Sequence, residues 1–364
     1  MFTLILCAVF SGVGIVRGLT DSAPDINEEN IMPDGYPSII YDANGKKVQK
    51  LMGINANREY KKITDIPECV QNAFVAIEDA RFYKHSGVDL QGILRAVFSA
   101  LSDEKVTQGA STITQQLLKN QVFGGGNEKS FFGKVSRKIQ EQSLAIKLES
   151  TIDKKKILEY YLNTINLGQN TMGVETASKR YFGKSVSKLT VSEAAVLAGI
   201  TQNPTEYNPI TEQQNNEAKR KIILKNMLDQ EYITEDEYEE ALGDDVYSRI
   251  QDINKEKRTS SYGDINSYYV DAVIENVVSD LKQKLGYTET QAYNAIYREG
   301  LKIYTCQDQS LQKICDDVIN NDKYYQKNTK SYLSYQLKVK KSDGKTELYT
   351  CLLYTSPSPR DVEE

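Results

Sequence analysis

The 364-residue sequence has no tryptophan and a single histidine, His85. One histidine excludes a histidine-rich metal centre and makes any imidazole-based triad depend on that position. The five cysteines (Cys7, Cys69, Cys306, Cys315 and Cys351) are odd in number, widely spaced and without a C-x-x-C pair. They read as free thiols rather than a disulfide frame or a zinc site. Net charge is small, −5 from 45 basic and 50 acidic residues, and a chain without a basic excess is poorly suited to nucleic acid. Internal repeats are absent, which excludes a solenoid or propeller.

Long apolar runs are scarce as well. Residues 2–16 are apolar and uncharged, but a full membrane span needs about 20 residues. The run reads either as a span that has lost its first residues or as the core of a signal peptide. No basic residue precedes it and no A-x-A site follows, so we expect the first, with residues 1–20 as an N-terminal membrane anchor. Arg17 lies after the run, so charge bias gives no orientation.

Between these gaps the chain is rich in helix signals. Residues 20–35 are polar, with Pro24, Pro33 and Gly35, and read as a linker. Residues 38–48 read strand, turn, strand, with Asn44-Gly45 as the hairpin signal. Thr64 or Asp65 can cap a helix starting near Pro67. Val70, Phe74 and Ile77 recur at four and three residues, one buried stripe that delivers Glu78 at its end. A second helix from Asp89 has a wide apolar face of Leu90, Ile93, Leu94, Val97, Phe98 and Leu101, which reads as core or as a surface dipping into a membrane. Asp153 can cap a helix containing Ile157, Leu158, Tyr161 and Leu162. Residues 189–200 read as a buried helix and 214–242 as a charged helical hairpin. Residues 244–266 read as a linker, 270–285 as an amphipathic helix, and Leu301 to Thr305 as the first strand of a further unit.

Candidate chemistry lies in four places. Residues 78–87 read E-D-x-x-F-x-x-H-x-G, with Glu78, Asp79, Phe82 and His85. Residues 109–120 read G-x-S-T-x-x-Q-Q-x-x-K-N, and on a helix Thr112, Gln116 and Lys119 share one polar face beside Ser111. Arg137 and Lys138 stand four and three residues before Glu141, within reach of it. Residues 134–156 concentrate Lys and Arg, which suits a phosphate. Taken singly these are ordinary: acids at a helix end are usually solvated, and Arg137-to-Glu141 spacing is that of a common ion pair. A lone histidine is usually structural, and Ser-Thr before a helix is usually a cap. Together they give two carboxylates, a hydroxyl-amide-lysine face and a basic pair in one helical unit. That set suits glycosyl transfer from a phosphate-activated sugar.

In order and spacing these stretches, with I-L-E-x-Y-L-N (157–163) and the tract from Tyr181-Phe-Gly-Lys184 to Pro209, resemble the successive motifs of glycosyltransferase family 51. These are the peptidoglycan glycosyltransferases of class A penicillin-binding proteins and their monofunctional relatives. The resemblance covers about residues 38–245 and departs at Ala110, where a second glycine is common. It implies a mainly α fold: a lysozyme-like, two-lobed glycosyltransferase domain with a membrane-proximal lobe, the N-terminal membrane anchor and a C-terminal α+β linker fragment. The domains implied are an anchor at 1–20, a linker and small β-hairpin at 21–60, the glycosyltransferase domain at 61–245, and a linker with the start of a truncated transpeptidase-type region at 246–350. Residues 351–364 fit no continuation of that region. They resemble translated adapter sequence, so we expect an artefactual tail and a shortened gene product. Ser185-Val-Ser-Lys188 fits S-x-x-K but lies inside the glycosyltransferase tract, and Lys345-Thr-Glu is not K-T-G, so transpeptidase activity is not expected.

The resemblance implies a donor glycan on undecaprenyl pyrophosphate and lipid II as acceptor, joined β-1,4 with inversion at the anomeric carbon. Glu78 is the implied general base. Glu141 would orient the pyrophosphate or a divalent metal, Mg²⁺ or Mn²⁺, as its protein ligand; no organic cofactor is implied. Lys119, Arg137 and Lys138 would hold the diphosphate. Ser111, Thr112 and Gln116 would bond sugar or phosphate oxygens. Phe82 and His85 would shape the loop, with Asp79 tuning charge or supporting structure. Implied partners are membrane lipid and cell wall synthesis proteins, with no nucleic acid. The implied location is the bacterial plasma membrane, single-pass, with the catalytic domain on the extracytoplasmic face. Two rivals stay open: a glycan-cleaving hydrolase with Glu78 as acid, and a non-catalytic membrane-anchored glycan-binding scaffold. Turnover separates them.

Overall fold

The computed structural model describes residues 14, 16–53, 57–101, 111–126, 128, 130–260, 267–319, 321–324, 332–340 and 346–354. The expected anchor therefore lies mostly outside the described residues, as do Gly109, Ala110 and the tail from residue 355. Among the described residues no helix is long and apolar enough to cross a membrane. The chain forms two compact units, Met1–Tyr41 with Lys47–Ile303, and Asp42–Lys46 with Tyr304–Glu364.

The large unit is mainly helical. Its elements are a one-turn helix α1 (Glu28–Ile31), strands β1 (Ser38–Tyr41) and β2 (Lys47–Leu51), and helices α2 (Glu68–Glu78), α3 (Leu90–Leu101), α4 (Ile113–Gln121), α5 (Phe131–Glu149), α6 (Lys154–Thr164), α7 (Val174–Phe182), α8 (Val191–Ile200), α9 (Gln213–Asp229), α10 (Glu235–Gly243), α11 (Val246–Ser260), α12 (Tyr268–Leu285) and α13 (Glu289–Arg298), then strand β3 (Lys302–Tyr304). The small unit contains α14 (Gln309–Ile319) and an antiparallel pair, β4 (Tyr332–Lys340) and β5 (Thr346–Tyr354), in register from Tyr332–Tyr354 to Lys340–Thr346.

Helix α8 is the centre of the main core. It is apolar on every side and buried from Ser192 to Ile200, the pattern of a helix surrounded by others. Thr190 and Glu193 close a capping box at its start. Helices α2 and α9 pack on it, and α4 packs between α5 and α6. The expected stripe of Val70, Phe74 and Ile77 is buried here. A second core joins β1, β2 and β3 to α12 and α13 through Ile40, Leu51, Val270, Ile274, Val278, Ala292, Ile296 and Ile303.

Several elements differ from the sequence expectation. Thr64 and Asp65 form a separate 3-10 turn, and Pro67 takes the N-cap position of α2 with no side-chain cap. The expected linker at 20–35 includes α1, whose Ile31 is fully buried. The expected linker at 244–266 is largely α11, because Val246, Tyr247 and Ile250 fall on one face and enter the main core; Tyr247 donates to buried Asn216 at 2.7 Å. The strand expected from Leu301 is β3; it lies beside β1 in the sheet order β2-β1-β3, with Ile39 N donating to Leu301 O at 2.9 Å, and the small unit resumes at Tyr304. On α3, Leu90 and Leu94 are exposed rather than core; the side chains of Val97, Phe98 and Leu101 lie outside the described ones.

Candidate active site

The loop after α2 turns back on itself through buried polar contacts. The Asp79 carboxylate accepts from His85 Nε2 at 3.0 Å and from the first backbone N–H of α4, Ile113, at 3.1 Å. On the other side of the ring, His85 Nδ1 lies 3.5 Å from Lys154 Nζ. An ammonium can only donate, so the ring is assigned as the Nε2–H tautomer, donating to Asp79. Lys154 also pairs with Glu149 at 2.7 Å and stands 4.3 Å over the Phe82 ring. Asp79, Phe82 and His85 thus tie the loop to α4 and α6.

Gly87 closes the loop, and only glycine fits. Its φ is +86°, and a Cβ would sit 2.5 Å from the Ala145 carbonyl carbon of α5. Its carbonyl accepts from Thr112 Oγ1 at 2.8 Å and Gln115 Nε2 at 3.2 Å. Thr112 in turn caps α4 by accepting from Gln115 N at 3.2 Å. One glycine therefore sets α2's loop, the start of α4 and the middle of α5 against each other, and so fixes the spacing of the groups on all three.

Those groups line a cleft of about 800 Å³. Glu78, half-buried at the end of α2, is held by neutral donors. Gln116 Nε2 donates to its Oε2 at 2.8 Å, and the Thr201 hydroxyl donates to its Oε1. The Gln116 amide is oriented by Tyr161, whose hydroxyl donates to Oε1 of Gln116 at 3.3 Å. Complete burial, reinforced by the Glu78 and Asp79 carboxylates, pushes the Tyr161 phenol well above its ordinary range, so it keeps its proton.

Glu141 is also at the cleft wall but is 1% exposed and held by cations. Arg137 donates to its Oε1, and Lys138 to its Oε2 at 3.2 Å. Lys138 further donates to Ser111 Oγ and Gln115 Oε1, both at 2.8 Å, which uses all three of its hydrogens. Burial lowers the Lys138 ammonium from its usual range although Glu141 opposes the shift. Arg137 also pairs with Glu128 at 2.7 Å, and its guanidinium holds the Glu128 carboxyl below the ordinary carboxylate range. Gly126, at φ +78°, brings backbone so close that a Cβ would stand 2.9 Å from both Lys119 Cε and Arg137 Cζ. Lys119 lines the same cleft, and its side-chain ammonium makes no hydrogen bond or salt bridge among the described residues.

Of the residues expected from sequence, Glu78, Ser111, Gln116, Lys119, Arg137, Lys138 and Glu141 line the cleft. Thr112, Asp79, Phe82 and His85 do not; they are buried or nearly buried, because cap and loop contacts consume the polar atoms of Thr112, Asp79 and His85, and Phe82 joins the main core. Among the wall residues that sequence reasoning missed, Gln115, Tyr161 and Thr201 hold the polar network together. Gln115 falls off the Thr112–Gln116–Lys119 face, and Tyr161 reads as core. Thr201 follows an apolar helix with no local signal. Glu159 and Asn163 of the I-L-E-x-Y-L-N stretch are structural: Glu159 accepts from Ile63 N at 2.6 Å, and Asn163 bonds both backbone groups of Lys61 at 2.8 Å. Ser185 donates to buried Glu175 at 3.0 Å, which accounts for the S-x-x-K match as a turn.

Among the described residues no three metal-ligating side chains converge. Glu141 is a single carboxylate with both oxygens engaged. The described residues thus supply at most one carboxylate to an ion and build no protein cage around one.

A protein-family model described as transglycosylase matches residues 44–228, over half the chain. Penicillin-binding protein 1A of Clostridium botulinum strain Langeland is 38% identical over 338 residues, covering 90% of this chain and 40% of that protein. Penicillin-binding protein 1A of Clostridium tetani is 34% identical over 335 residues, covering 88% and 40%. The Neisseria lactamica protein of the same name is 38% identical over 286 residues, covering 78% and 32%. A crystal structure of penicillin-binding protein 1A from Haemophilus influenzae aligns with TM-score 0.38 and 20% identity over 86% of this chain and 39% of that one, a likeness too slight to argue from. The chain spans about two fifths of the length of the Clostridium relatives it matches. Its cleft residues fall between Ile77 and Lys219, within the matched segment, and the chain belongs to the transglycosylase family.

Proposed function

We propose that the chain is a peptidoglycan glycosyltransferase that polymerises lipid II into β-1,4-linked glycan for bacterial cell wall synthesis. The observation that supports this most is that one cleft holds a carboxylate with uncharged partners and, apart from it, a group of cations around a second carboxylate. Glu78 takes the proton of the acceptor's 4-hydroxyl, whose oxygen then attacks the donor's anomeric carbon with inversion. Lys119, Arg137 and Lys138 stabilise the charge that develops on the departing undecaprenyl-linked diphosphate. Glu141 keeps Arg137 and Lys138 in place. A divalent metal, when bound, would take Glu141 as its one protein ligand and neutralise diphosphate charge.

Both substrates are lipids, so the cleft belongs at a bilayer surface. Leu90 and Leu94 on α3 and Phe131 and Phe132 at the start of α5 are exposed, Phe131 by 83%, and exposed apolar side chains on these two helices fit a membrane-proximal lobe. An anchor over residues 1–20 would hold the domain on the extracytoplasmic face beside other cell wall synthesis proteins.

The test is incubation of the detergent-solubilised protein with labelled lipid II and Mg²⁺, with products resolved by gel, beside Glu78→Gln. Glycan ladders from the parent and none from the variant are expected. Cleavage of preformed glycan without ladders would favour a hydrolase, and lipid II binding without turnover a scaffold.

A further inference from the structure

The partners of Glu78 are not equivalent. Gln116 presents Nε2 to Oε2, and that nitrogen only donates, because the amide's oxygen is turned to Tyr161. Thr201 has one hydrogen and two oxygens within its reach: Oε1 of Glu78, and the Ala198 carbonyl at 2.9 Å. A hydroxyl donates once and accepts twice. It therefore fits two states. With Glu78 a carboxylate, Thr201 donates to it. With Glu78 protonated at Oε1, Thr201 turns its hydrogen to Ala198 O and accepts from Glu78.

We propose that Thr201 is a positioning residue for the general base, a hydroxyl that switches from donor to acceptor as Glu78 gains its proton. The inference rests on the glycosyltransferase reading. The step balances as follows. The acceptor's O–H proton moves to Glu78, the freed oxygen pair forms the bond to the anomeric carbon, and the pair of the broken C–O bond leaves with the diphosphate. Without Thr201 the new Oε1–H would face a cleft wall in which Gln116 can only donate. Asp79 adjoins Glu78 on the chain but spends its oxygens on His85 and Ile113. The other charged or titratable groups of the cleft are Tyr161 from α6, Lys119 from α4, Arg137, Lys138 and Glu141 from α5, and Lys219 from α9. None of them makes a hydrogen bond to Glu78.

The experiment compares the parent, Thr201→Val, Thr201→Ser and Glu78→Gln with lipid II and Mg²⁺, reading kcat and KM separately and unfolding midpoints in parallel. Valine keeps the shape and removes the hydroxyl; serine keeps the hydroxyl. We expect Thr201→Val to lose on the order of tenfold to a hundredfold in kcat, the worth of a hydrogen bond to a charged group, with KM unchanged and Thr201→Ser close to parent. An unimpaired Thr201→Val, a loss confined to KM, or equal losses in valine and serine variants would overturn the inference. An inactive parent would instead overturn the glycosyltransferase reading itself, and an active Glu78→Gln would overturn both the assignment of Glu78 as general base and the role of Thr201 that depends on it.

Discussion

Two carboxylates share one cleft and live in different surroundings. Glu78 ends a helix, is half-buried, and meets an amide and a hydroxyl. Glu141 is in the middle of a helix, is 1% exposed, and meets a guanidinium and an ammonium. Neutral donors orient a carboxylate without cancelling its charge, so Glu78 can accept a proton and leave no cation behind. A proton on Glu141 would leave Arg137 and Lys138 unbalanced in a partly buried place. The first environment suits proton transfer and the second suits holding cations at a fixed spacing.

Substitutions can break that comparison. The largest effect expected is on Glu78→Gln, with turnover down by about a thousandfold and the unfolding midpoint close to that of the parent. Full activity in this variant would remove Glu78 from the chemistry. Glu141→Gln should behave the other way, costing roughly 1–2 kcal/mol of stability by removing the carboxylate between two partly buried cations, visible as a lower urea midpoint as well as lower activity. Gly87→Ala tests the frame that keeps the two apart: a Cβ in contact with α5 backbone at positive φ should cost about 2–3 kcal/mol, and an alanine variant of parental stability would mean the loop is not held as described.

Smaller effects sharpen the contrast among the cations. Lys119→Ala should lower kcat/KM about tenfold without changing the midpoint, since the described residues give Lys119 no salt bridge. Arg137→Ala should lower both, since it strips Glu141 and Glu128 together. Smallest in stability is the paired change Phe131→Ser and Phe132→Ser, within about 0.5 kcal/mol for exposed positions. Sedimentation with anionic lipid vesicles should nevertheless show weaker binding, and undiminished binding would remove this patch from the proposed membrane face.

Much of the site was legible locally. Glu78 at the end of a stripe, Asp153 as a cap, and Arg137 and Lys138 one turn from Glu141 follow from helical spacing, which short-range geometry enforces. Thr112, expected to bond sugar or phosphate oxygens, does not line the cleft, whereas His85 supports the loop as expected. Their polar atoms go to Gly87 and Asp79, partners 25 and 6 residues away, and spacing along one helix says nothing about that choice. Residues 244–266 looked like linker because polar side chains dominate, yet three apolar residues on one face were enough to dock α11.

The sequence by itself determined most of the helices, the Asp153 cap, the two carboxylates and the cation pair, because each rests on contacts three or four residues apart. Tertiary structure decided what each group meets. It brought Thr201 to Glu78 across 123 residues, set Gly87 against α5, and returned β3 to β1 from the far end of the unit. The reason is physical: a hydroxyl, a glycine and an edge strand are locally satisfied in many ways, and only packing of distant segments selects one.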